Sequence, residues 1–215
     1  MTKKILITGA NGQLGHEMRN ALKGNNRFEC IFTDVAELDI CNAEAVKQII
    51  ADNHIDYIVN CAAYTQVDKA EDNAELCKKI NTDAVENLAR AAATYGARMI
   101  HISTDYVFNG RGYRPYTEDV VPDPQSVYGS TKLEGEKILT DICPESIIIR
   151  TAWLYSPYGN NFVKTMLHLG EEREELSVVA DQIGTPTCAA DLAQAILVIL
   201  QADTFVPGTY HFSDE

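Results

Sequence analysis

The first 150 residues alternate short apolar runs with longer segments in which apolar positions recur every three or four residues. Five of the runs are rich in β-branched and aromatic residues, as buried strands are: 3–8, 27–33, 56–62, 97–103 and 146–151. Between them, the segments 14–24, 43–53, 74–96 and 126–142 have the spacing of amphipathic helices. Strands that are apolar throughout and alternate with helices form a parallel sheet covered on both faces. The pattern therefore predicts an α/β fold with a doubly wound parallel sheet, Rossmann-like, whose ligands bind beyond the carboxyl ends of the strands.

The pattern changes after residue 151. Residues 152–162 (AWLYSPYGNNF) are irregular and aromatic, and a helix over about 161–173, a strand over 176–181, a helix over 188–202 and a final strand from 208 are predicted to follow. We expect a dinucleotide-binding domain over 1–150 and a small α/β substrate lobe over 151–215, interleaved with the first domain. The last predicted strand has no continuation, so the lobe is expected to be truncated.

The bulk composition is that of a globular protein, with 46% hydrophobic and 23% charged residues. The formal net charge of −13 argues against general binding to nucleic acid or to an anionic membrane, because such binding uses a basic surface. The six cysteines form no C-x-x-C pair, so reduced, buried thiols are expected. No apolar run reaches membrane-spanning length and no signal peptide is recognised, which makes the cytoplasm the expected compartment.

Three glycines stand between the first predicted strand and the first predicted helix, with the spacing G-x-x-G-x-x-G. In dinucleotide-binding folds the first allows a tight turn and the second lets a pyrophosphate approach backbone N–H groups. The third lets the helix pack on the strand, and the helix N-terminus offers N–H donors to an anion. Gly9, Gly12 and Gly15 therefore predict a dinucleotide cofactor.

Asp34 ends the second predicted strand, where an acidic side chain accepts hydrogen bonds from the adenosine ribose. Its charge repels the 2′-phosphate of NADPH, so the sequence leans towards NADH; an ordinary loop aspartate is the alternative. Asp39 is a candidate for the adenine end of the cofactor. Residues 60–63 (NCAA) end the third strand with small side chains that leave room for the middle of the cofactor.

Thr104, Tyr128 and Lys132 are the candidate catalytic residues. Thr104 follows the fourth predicted strand, Tyr128 lies near the start of the next helix, and Lys132 lies one turn further along the same face. A neighbouring ammonium group stabilises a phenolate, so Lys132 is expected to lower the pKa of Tyr128 from its ordinary value of about 10. Tyr128 would then exchange a proton with a substrate oxygen while a nicotinamide exchanges a hydride with the attached carbon. A Tyr-x-x-x-Lys pair alone also arises by chance; its combination with the glycine loop and Thr104 favours catalysis.

Seven segments resemble, in order along nearly the whole chain, the extended short-chain dehydrogenase/reductase family, and within it the sugar-nucleotide ketoreductases. They are TGANGQLG (8–15), NCAAYTQVDKAE (60–71), HISTDYVFNG (101–110), YGSTKLEGE (128–136), RTAWLY (150–155), GNNFVKTML (159–167) and DQIGTPT (181–187). The resemblance implies reduction of the C4 keto group of a dTDP-sugar by NADPH or NADH, as in the biosynthesis of cell-surface polysaccharide. It implies that Tyr128 donates the proton, that Lys132 orients the nicotinamide ribose, and that Thr104 polarises the carbonyl.

The resemblance also assigns binding residues around this centre. Asn81 corresponds to an asparagine that supports an active-site water, with a helix-surface asparagine as the alternative; Trp153 is read either as core or as a stacking surface. The residues implied to contact the cofactor are Gly9, Asn11, Gly12, Gln13, Leu14, Gly15, Asp34, Asp39, Ile40, Cys61, Ala62, Ala63, Tyr64, Tyr128 and Lys132. The residues implied to contact the sugar nucleotide are Thr65, Val67, Thr104, Asp105, Tyr128, Trp153, Asn161 and Phe162.

Two features depart from the family pattern. Its members are usually longer, so part of the substrate lobe is expected to be missing. Some relatives bind Mg²⁺ between the subunits of a dimer through glutamates, whereas the segment 185–193 (TPTCAADLA) offers Asp191 and no glutamate. No metal is therefore expected, and a homodimer stays open. Two other functions also stay open: an epimerase of the same superfamily, which uses the same Tyr and Lys, and a non-catalytic, dinucleotide-binding regulatory subunit.

Overall fold

The structure, a computed structural model, describes residues 2–214 and is built around a six-stranded parallel sheet. The strands are β1 (Lys3–Thr8), β2 (Phe28–Thr33), β3 (Tyr57–Asn60), β4 (Arg98–Thr104), β5 (Ile147–Thr151), β6 (Leu154–Tyr155), β7 (Thr187–Cys188) and β8 (Gly208–His211). The order in the large sheet is β2-β1-β3-β4-β5-β8, and β6 pairs with β7 in a separate two-stranded sheet. The doubly wound parallel sheet predicted from the sequence is confirmed.

The helices run in chain order between and after these strands. They are α1 (Gln13–Leu22), α2 (Ala43–Asn53), α3 (Val67–Asp72), α4 (Ala74–Lys78), α5 (Ala84–Tyr95), α6 (Val127–Ile142), α7 (Phe162–Glu172) and α8 (Ala189–Gln201). A π-helical turn, Lys79–Asp83, joins α4 to α5, and a 3₁₀ turn, Asp105–Val107, follows β4. Within residues 2–214, no helix is long and apolar enough to cross a membrane.

Two hydrophobic layers cover the sheet because successive side chains of a strand point to opposite faces. On β1, Leu6 joins the layer formed with α2, α5 and α6, whereas Ile5 and Ile7 join the layer formed with α1 and α8. All three side chains are fully buried. The apolar runs noted in the sequence are therefore the strands of a sheet sandwiched between helices.

The carboxyl edge of the sheet is lined by polar residues that the strand register brings level. Thr8 at the end of β1 is level with Asn60 on β3, and Thr104 at the end of β4 is level with Thr151 on β5. The chain order reverses at β1, which has β2 on one side and β3 on the other. In open α/β sheets this switch point opens the crevice in which ligands bind.

Part of the second half of the chain belongs to the large sheet and its helical layers, and part lies outside them. β6, β7 and α7 stand apart from it, whereas α8 packs on α1 and β8 pairs with β5. A division into two domains at residue 150 stays a prediction.

Three local expectations need correction. The predicted strand at 176–181 is not a strand; Leu176, Val178 and Val179 are largely exposed, and the segment pairs with no strand in the described part of the chain. The predicted helix 74–96 is interrupted by the π-helical turn. The six free cysteines are not all buried, since only Cys77 and Cys143 are.

Candidate active site

The glycine loop is packed too closely for side chains at two of its glycines. Gly9 has a φ of 64°, which favours glycine, and a Cβ atom there would lie 2.6 Å from the backbone nitrogen of Ala62. A Cβ atom on Gly15 would overlap the backbone of Gly9 and Ala10. The loop thus lies directly against the end of β3, and α1 lies directly against the loop.

The start of α1 is open to an anion. Its N-cap residue, Gly12, makes no side-chain cap, and its first turn holds no acidic residue, so the N–H groups of that turn point outwards without a capping oxygen. Asp34 lies beside the loop, where its carboxylate accepts hydrogen bonds from the backbone N–H groups of Asn11 (2.9 Å) and Val35 (2.8 Å). A close backbone cradle, an uncapped helix N-terminus and a carboxylate on the next strand fit a dinucleotide.

Thr104, Tyr128 and Lys132 come together at the carboxyl edge of the sheet. Thr104 ends β4, and its hydroxyl donates to the carboxylate of Asp105 at 3.1 Å. Tyr128 and Lys132 lie in the first two turns of α6, which begins at the side-chain cap of Ser126. Both are buried, Tyr128 at 8% and Lys132 at 1% exposure. Tyr128 hydrogen-bonds Thr104, and Lys132 lies one turn further along α6, so the predicted catalytic residues lie close together where β4 ends.

Lys132 is the largest fully buried side chain among the described residues, although it carries an ionisable group. Its Nζ donates to the carbonyl oxygen of Ile102 at 2.6 Å and lies 3.3 Å from Nε2 of His101. Burial lowers the pKa of Lys132 to about 8, and Glu136, one turn further along α6, offsets only part of that effect. Near neutral pH a modest change in surroundings is enough to change its charge.

Tyr128 is held as a phenol in this structure. Burial raises its pKa, and the hydrogen bond with Thr104 opposes that rise only in part. The expectation that Lys132 lowers the pKa of Tyr128 is therefore wrong for the protein without cofactor, because desolvation of the phenolate dominates. A protonated Tyr128 is an acid, as a proton donor to a carbonyl oxygen must be.

We predict that Lys132 makes the stability of the fold rise with pH. Between pH 8 and 10.5 the unfolded chain binds a proton at Lys132 that the folded chain lacks. The free energy of unfolding should therefore increase by up to about 1.4 kcal/mol per pH unit in that window, relative to Lys132→Met. Urea unfolding at several pH values measures this difference, with the exposed Lys23→Met as control. A difference that stays flat with pH, or falls, contradicts the prediction.

Asn81 holds the cofactor-side loop after β3. Its Oδ1 accepts from the backbone N–H of Tyr64 at 2.9 Å, and its Nδ2 donates to the Tyr64 carbonyl at 3.1 Å. It is buried and lies in the π-helical turn, a feature that is frequent at functional sites. Gly135 of α6 leaves room for this turn, because a Cβ there would overlap the carbonyl oxygen of Asn81. Asn81 is therefore not a helix-surface residue. Its predicted role, holding a water molecule in the active site, stays a prediction.

Gln13 ties the glycine loop to the second half of the chain. Its side-chain oxygen accepts from Nδ2 of Asn161 at 2.9 Å, and its amide nitrogen donates to the carbonyl of Leu154 at 3.2 Å. Nearby, His16 stacks on the ring of Tyr158 at 4.3 Å between centroids. The side-chain amide of Gln13 is therefore already hydrogen-bonded to the second half of the chain. Gln13 can contact a cofactor through its backbone atoms.

Trp153 and Asp105 line a cleft of about 360 Å³ beside Thr104. Trp153 has a φ of 44°, rare for a non-glycine residue, and its indole covers Gly184, where a Cβ would lie 3.1 Å away. Burial raises the pKa of the Asp105 carboxyl. A second cleft, of about 280 Å³, also reaches Asp105 and extends to Arg150 and His211. At 37% exposure, the Trp153 ring is not part of the core, and its role as a stacking surface stays a prediction.

The other predicted residues separate into two groups. Cys61, Ala62, Ala63 and Thr65 lie in the loop after β3, and the backbone of Cys61 and Ala62 packs against Gly9. Val67 begins α3, and Phe162 is exposed at the start of α7. Leu14 and Ile40 are buried with their side chains in the hydrophobic layers, and Asp39 accepts from the backbone N–H of Cys41 at 2.9 Å. Leu14 and Ile40 can therefore contact a ligand only through their backbone atoms.

Two buried polar interactions were not predicted from the sequence. The first is the hydrogen bond between Asn60 and His101. The second is the ion pair of Glu136 and Arg150, in which Oε2 of Glu136 lies 2.7 Å from Nη2 of Arg150. The signal was a polar or charged residue inside an otherwise apolar strand, as at Asn60, His101 and Arg150. Among residues 2–214, no group of three or more His, Cys, Asp or Glu side chains is placed to hold a metal.

Fold and site together define the class of protein: a doubly wound dinucleotide-binding fold with the Thr, Tyr and Lys of the extended short-chain dehydrogenase/reductases. The sequence profile of the family described as the RmlD substrate binding domain matches residues 3–215. The chain belongs to this family.

Named relatives agree with that assignment. The chain is 44% identical to the dTDP-4-dehydrorhamnose reductase of Aggregatibacter actinomycetemcomitans over 99% of this chain and 74% of that protein. A crystal structure of a dTDP-4-dehydrorhamnose reductase from Clostridium acetobutylicum is 50% identical and superposes with a TM-score of 0.94, over 99% of this chain and 74% of the other. The Bacillus anthracis enzyme of that name, in complex with NADP, is 44% identical with a TM-score of 0.95, over 100% and 75% of the two chains.

Proposed function

We propose that this protein reduces the C4 keto group of dTDP-4-dehydro-β-L-rhamnose to give dTDP-L-rhamnose, with NADPH or NADH as cofactor. The observation that carries the proposal is the buried cluster of Thr104, Tyr128 and Lys132 at the same carboxyl edge of the sheet as the open glycine loop. The family and the named relatives support this particular substrate. The cytoplasm, a homodimer and a role in polysaccharide biosynthesis stay predictions that accompany it.

In this reaction, the bound NAD(P)H supplies the hydride to C4. Tyr128 donates the proton to the O4 oxygen, and burial keeps it protonated for that purpose. Thr104 lies close enough to Tyr128 for its hydroxyl to hydrogen-bond the same oxygen, and it is oriented by Asp105 and by the backbone N–H of Tyr106. Lys132, which is fully buried one turn further along α6, would orient the nicotinamide ribose.

The sugar nucleotide is expected to lie in the two clefts that meet at Asp105. The half-exposed indole of Trp153 offers a flat apolar face to the sugar ring, next to the carboxylate of Asp105. Thr65 in the loop after β3, Val67 at the start of α3, and Asn161 and Phe162 at the start of α7 are proposed to complete this site. The sugar would thus be held between the two halves of the chain.

Asp34 is predicted to set the preference between the two cofactors. Asp34→Ala removes a carboxylate that accepts from ribose hydroxyls and repels a 2′-phosphate. We expect the ratio of the dissociation constants, NADPH over NADH, to fall roughly tenfold, the effect of one charge-assisted hydrogen bond. Asp34→Ala also removes the hydrogen bond from the backbone N–H of Asn11. This loss should weaken the binding of NADPH and NADH equally, so it does not change the ratio of their dissociation constants.

Fluorescence titration of the reduced cofactors against wild type, Asp34→Ala and the exposed Asp52→Ala measures this ratio. Asp52→Ala lies on α2 and should leave both constants unchanged. An unchanged ratio in Asp34→Ala would mean that Asp34 only holds the glycine loop in place and does not distinguish the two cofactors.

The activity itself is tested by mixing the purified chain with dTDP-4-dehydro-β-L-rhamnose and each reduced cofactor, and following the absorbance of the cofactor. We expect the absorbance to decay only when the keto sugar is present, and the product to run as dTDP-L-rhamnose on chromatography. Tight cofactor binding without decay would instead favour the non-catalytic, dinucleotide-binding function.

A further inference from the structure

One face of α1 carries polar side chains that contact the irregular segment 154–161. Gln13, His16 and Asn20 follow one another at intervals of three and four residues, so their side chains lie on the same face of the helix. The ring of His16 stacks on Tyr158, and Nδ2 of Asn20 lies 3.1 Å from the Tyr158 hydroxyl. The segment that leads into α7 is therefore attached to the helix that follows the glycine loop.

Gln13 makes the most extensive of these contacts. Its Nε2 donates to the carbonyl oxygen of Leu154 at 3.2 Å, and its Oε1 accepts from Nδ2 of Asn161 at 2.9 Å. The hydroxyl of Ser156 lies 3.3 Å from the same Oε1. Ser156 is buried, and Gln13 and Asn161 are half-buried. One side chain thus joins both ends of the segment 154–161 to α1.

Backbone groups fix the orientation of both side-chain amides. A carbonyl oxygen can only accept, so the NH₂ group of Gln13 faces Leu154 and its oxygen faces Asn161. Oδ1 of Asn161 accepts from the backbone N–H of Lys164 at 3.0 Å, and a backbone N–H can only donate. The NH₂ group of Asn161 therefore faces Gln13. Donor and acceptor of the two amides match in this one arrangement.

The contact with Gln13 holds the start of α7. Asn161 is the N-cap residue of α7, which has 11 residues. Over its described range, 162–172, α7 has no buried residue, and Phe162 is 59% exposed. A helix of this length is marginal without packing of an apolar face. The position of α7 therefore depends on the attachment of its first turn.

The backbone of Gln13 belongs to a different site. Gln13 is the first residue of α1, directly after Gly12, so its N–H lies in the uncapped turn that is open to an anion. Its side chain reaches Asn161 instead. A single residue thus lies between the site proposed for the cofactor and the residues proposed for the sugar nucleotide.

We propose that Gln13 is a positioning residue for the sugar nucleotide: through Asn161, it holds the first turn of α7 beside the cofactor site. This inference rests on the proposed function, in which Asn161 and Phe162 contact the sugar nucleotide. It assigns the side chain of Gln13 to substrate binding and its backbone to cofactor binding. Removal of the side-chain amide therefore weakens binding of the sugar and leaves binding of the cofactor unchanged.

The first test uses the chain without cofactor or substrate, so its outcome is independent of the proposed reaction. Gln13→Met keeps the length of the side chain and removes its amide. Amide hydrogen exchange, followed by NMR, reports on the backbone N–H of Thr165, which donates to the backbone oxygen of Asn161 at 3.0 Å. We expect this N–H to exchange roughly tenfold faster in Gln13→Met, the effect of about one net hydrogen bond.

The matched control is Gln48→Met, an exposed glutamine on α2, which should leave the exchange of Thr165 unchanged. An exchange rate in Gln13→Met equal to that of the control would overturn the proposal, because α7 would then be held in place without Gln13.

A second variant separates the contact with Gln13 from the cap of α7. Asn161→Ser keeps a good N-cap side chain and removes the NH₂ group that donates to Gln13. If the two residues act through their mutual hydrogen bond, the double variant Gln13→Met/Asn161→Ser should speed the exchange of Thr165 by less than the product of the two single effects. A full product would show that Gln13 and Asn161 act independently, which contradicts the proposal.

Steady-state kinetics test the assignment of Gln13 to the sugar. In Gln13→Met, we expect KM for the keto sugar to rise roughly tenfold, with kcat and the dissociation constant of NADPH within about twofold of the wild type. Weaker binding of NADPH with an unchanged KM would assign the side chain to the cofactor and overturn the proposal. If the wild type does not reduce the keto sugar, the proposed function fails, and the exchange measurement still decides whether Gln13 holds α7.

Discussion

Tyr128→Phe is expected to lower kcat by about 10²–10⁴-fold, the range that a general acid contributes, while leaving the affinity for the reduced cofactor nearly unchanged. The variant removes one hydroxyl from a buried ring that packs edge-on against Tyr106, so the ring itself should stay in place. The loss should appear in kcat and kcat/KM alike, because the proton is transferred only in the transition state.

The matched control is Tyr95→Phe, an exposed tyrosine at the end of α5. Steady-state kinetics with the keto sugar should show wild-type constants for it. If Tyr128→Phe keeps more than about a tenth of the wild-type kcat, a residue other than Tyr128 delivers the proton.

Glu136→Ala is expected to lower the free energy of unfolding by about 3–5 kcal/mol, because it leaves the Arg150 guanidinium buried and unpaired. The pair is almost completely buried, with side chains only 5% and 8% exposed, and Nε and Nη2 of Arg150 contact both oxygens of Glu136. Arg150 lies on β5 and also reaches His211 of β8 at 3.4 Å. The pair therefore fixes α6, which carries Tyr128 and Lys132, to the sheet.

A surface pair provides the control for this loss. Glu86→Ala breaks the pair of Glu86 with Arg90, whose side chains are 35% and 65% exposed, and should cost less than about 1 kcal/mol. The double variant Glu136→Met/Arg150→Met should be more stable than Glu136→Ala, since it leaves no buried charge. Chemical denaturation measures all three; equal losses for Glu136→Ala and Glu86→Ala would refute the argument.

Periodicity was enough to predict the sheet, since the predicted strands at 3–8, 27–33, 97–103 and 146–151 agree with β1, β2, β4 and β5 to within a residue at each end. Near-continuous apolar runs have few alternatives to a buried parallel strand. The predicted strand at 176–181 is wrong because a short apolar run does not by itself supply a partner strand. The π-helical turn at 79–83 was missed because one extra residue in a turn barely changes helical spacing.

In the candidate site, too, local sequence patterns were predictable and contacts between distant residues were not. The glycine loop and the Tyr-x-x-x-Lys pair are local patterns, and the sequence placed them correctly relative to strands and helices. The contact of Gln13 with Asn161 and the approach of Asn60 to His101 join residues far apart in the chain, which no local pattern contains. Burial decided the pKa of Tyr128, and the depth of a side chain in the fold cannot be read from its neighbours in sequence.

This chain is proposed to catalyse hydride transfer from NADPH or NADH to C4 of a dTDP-linked keto sugar. The most direct measurement supplies NADPH or NADH deuterated at the transferable position, together with dTDP-4-dehydro-β-L-rhamnose, and analyses the sugar nucleotide by mass spectrometry and proton NMR. We expect dTDP-L-rhamnose with one deuterium at C4 and one oxidised cofactor per product. An altered sugar without deuterium and without net oxidation of the cofactor would identify an epimerase instead, and an unchanged sugar would contradict the claim.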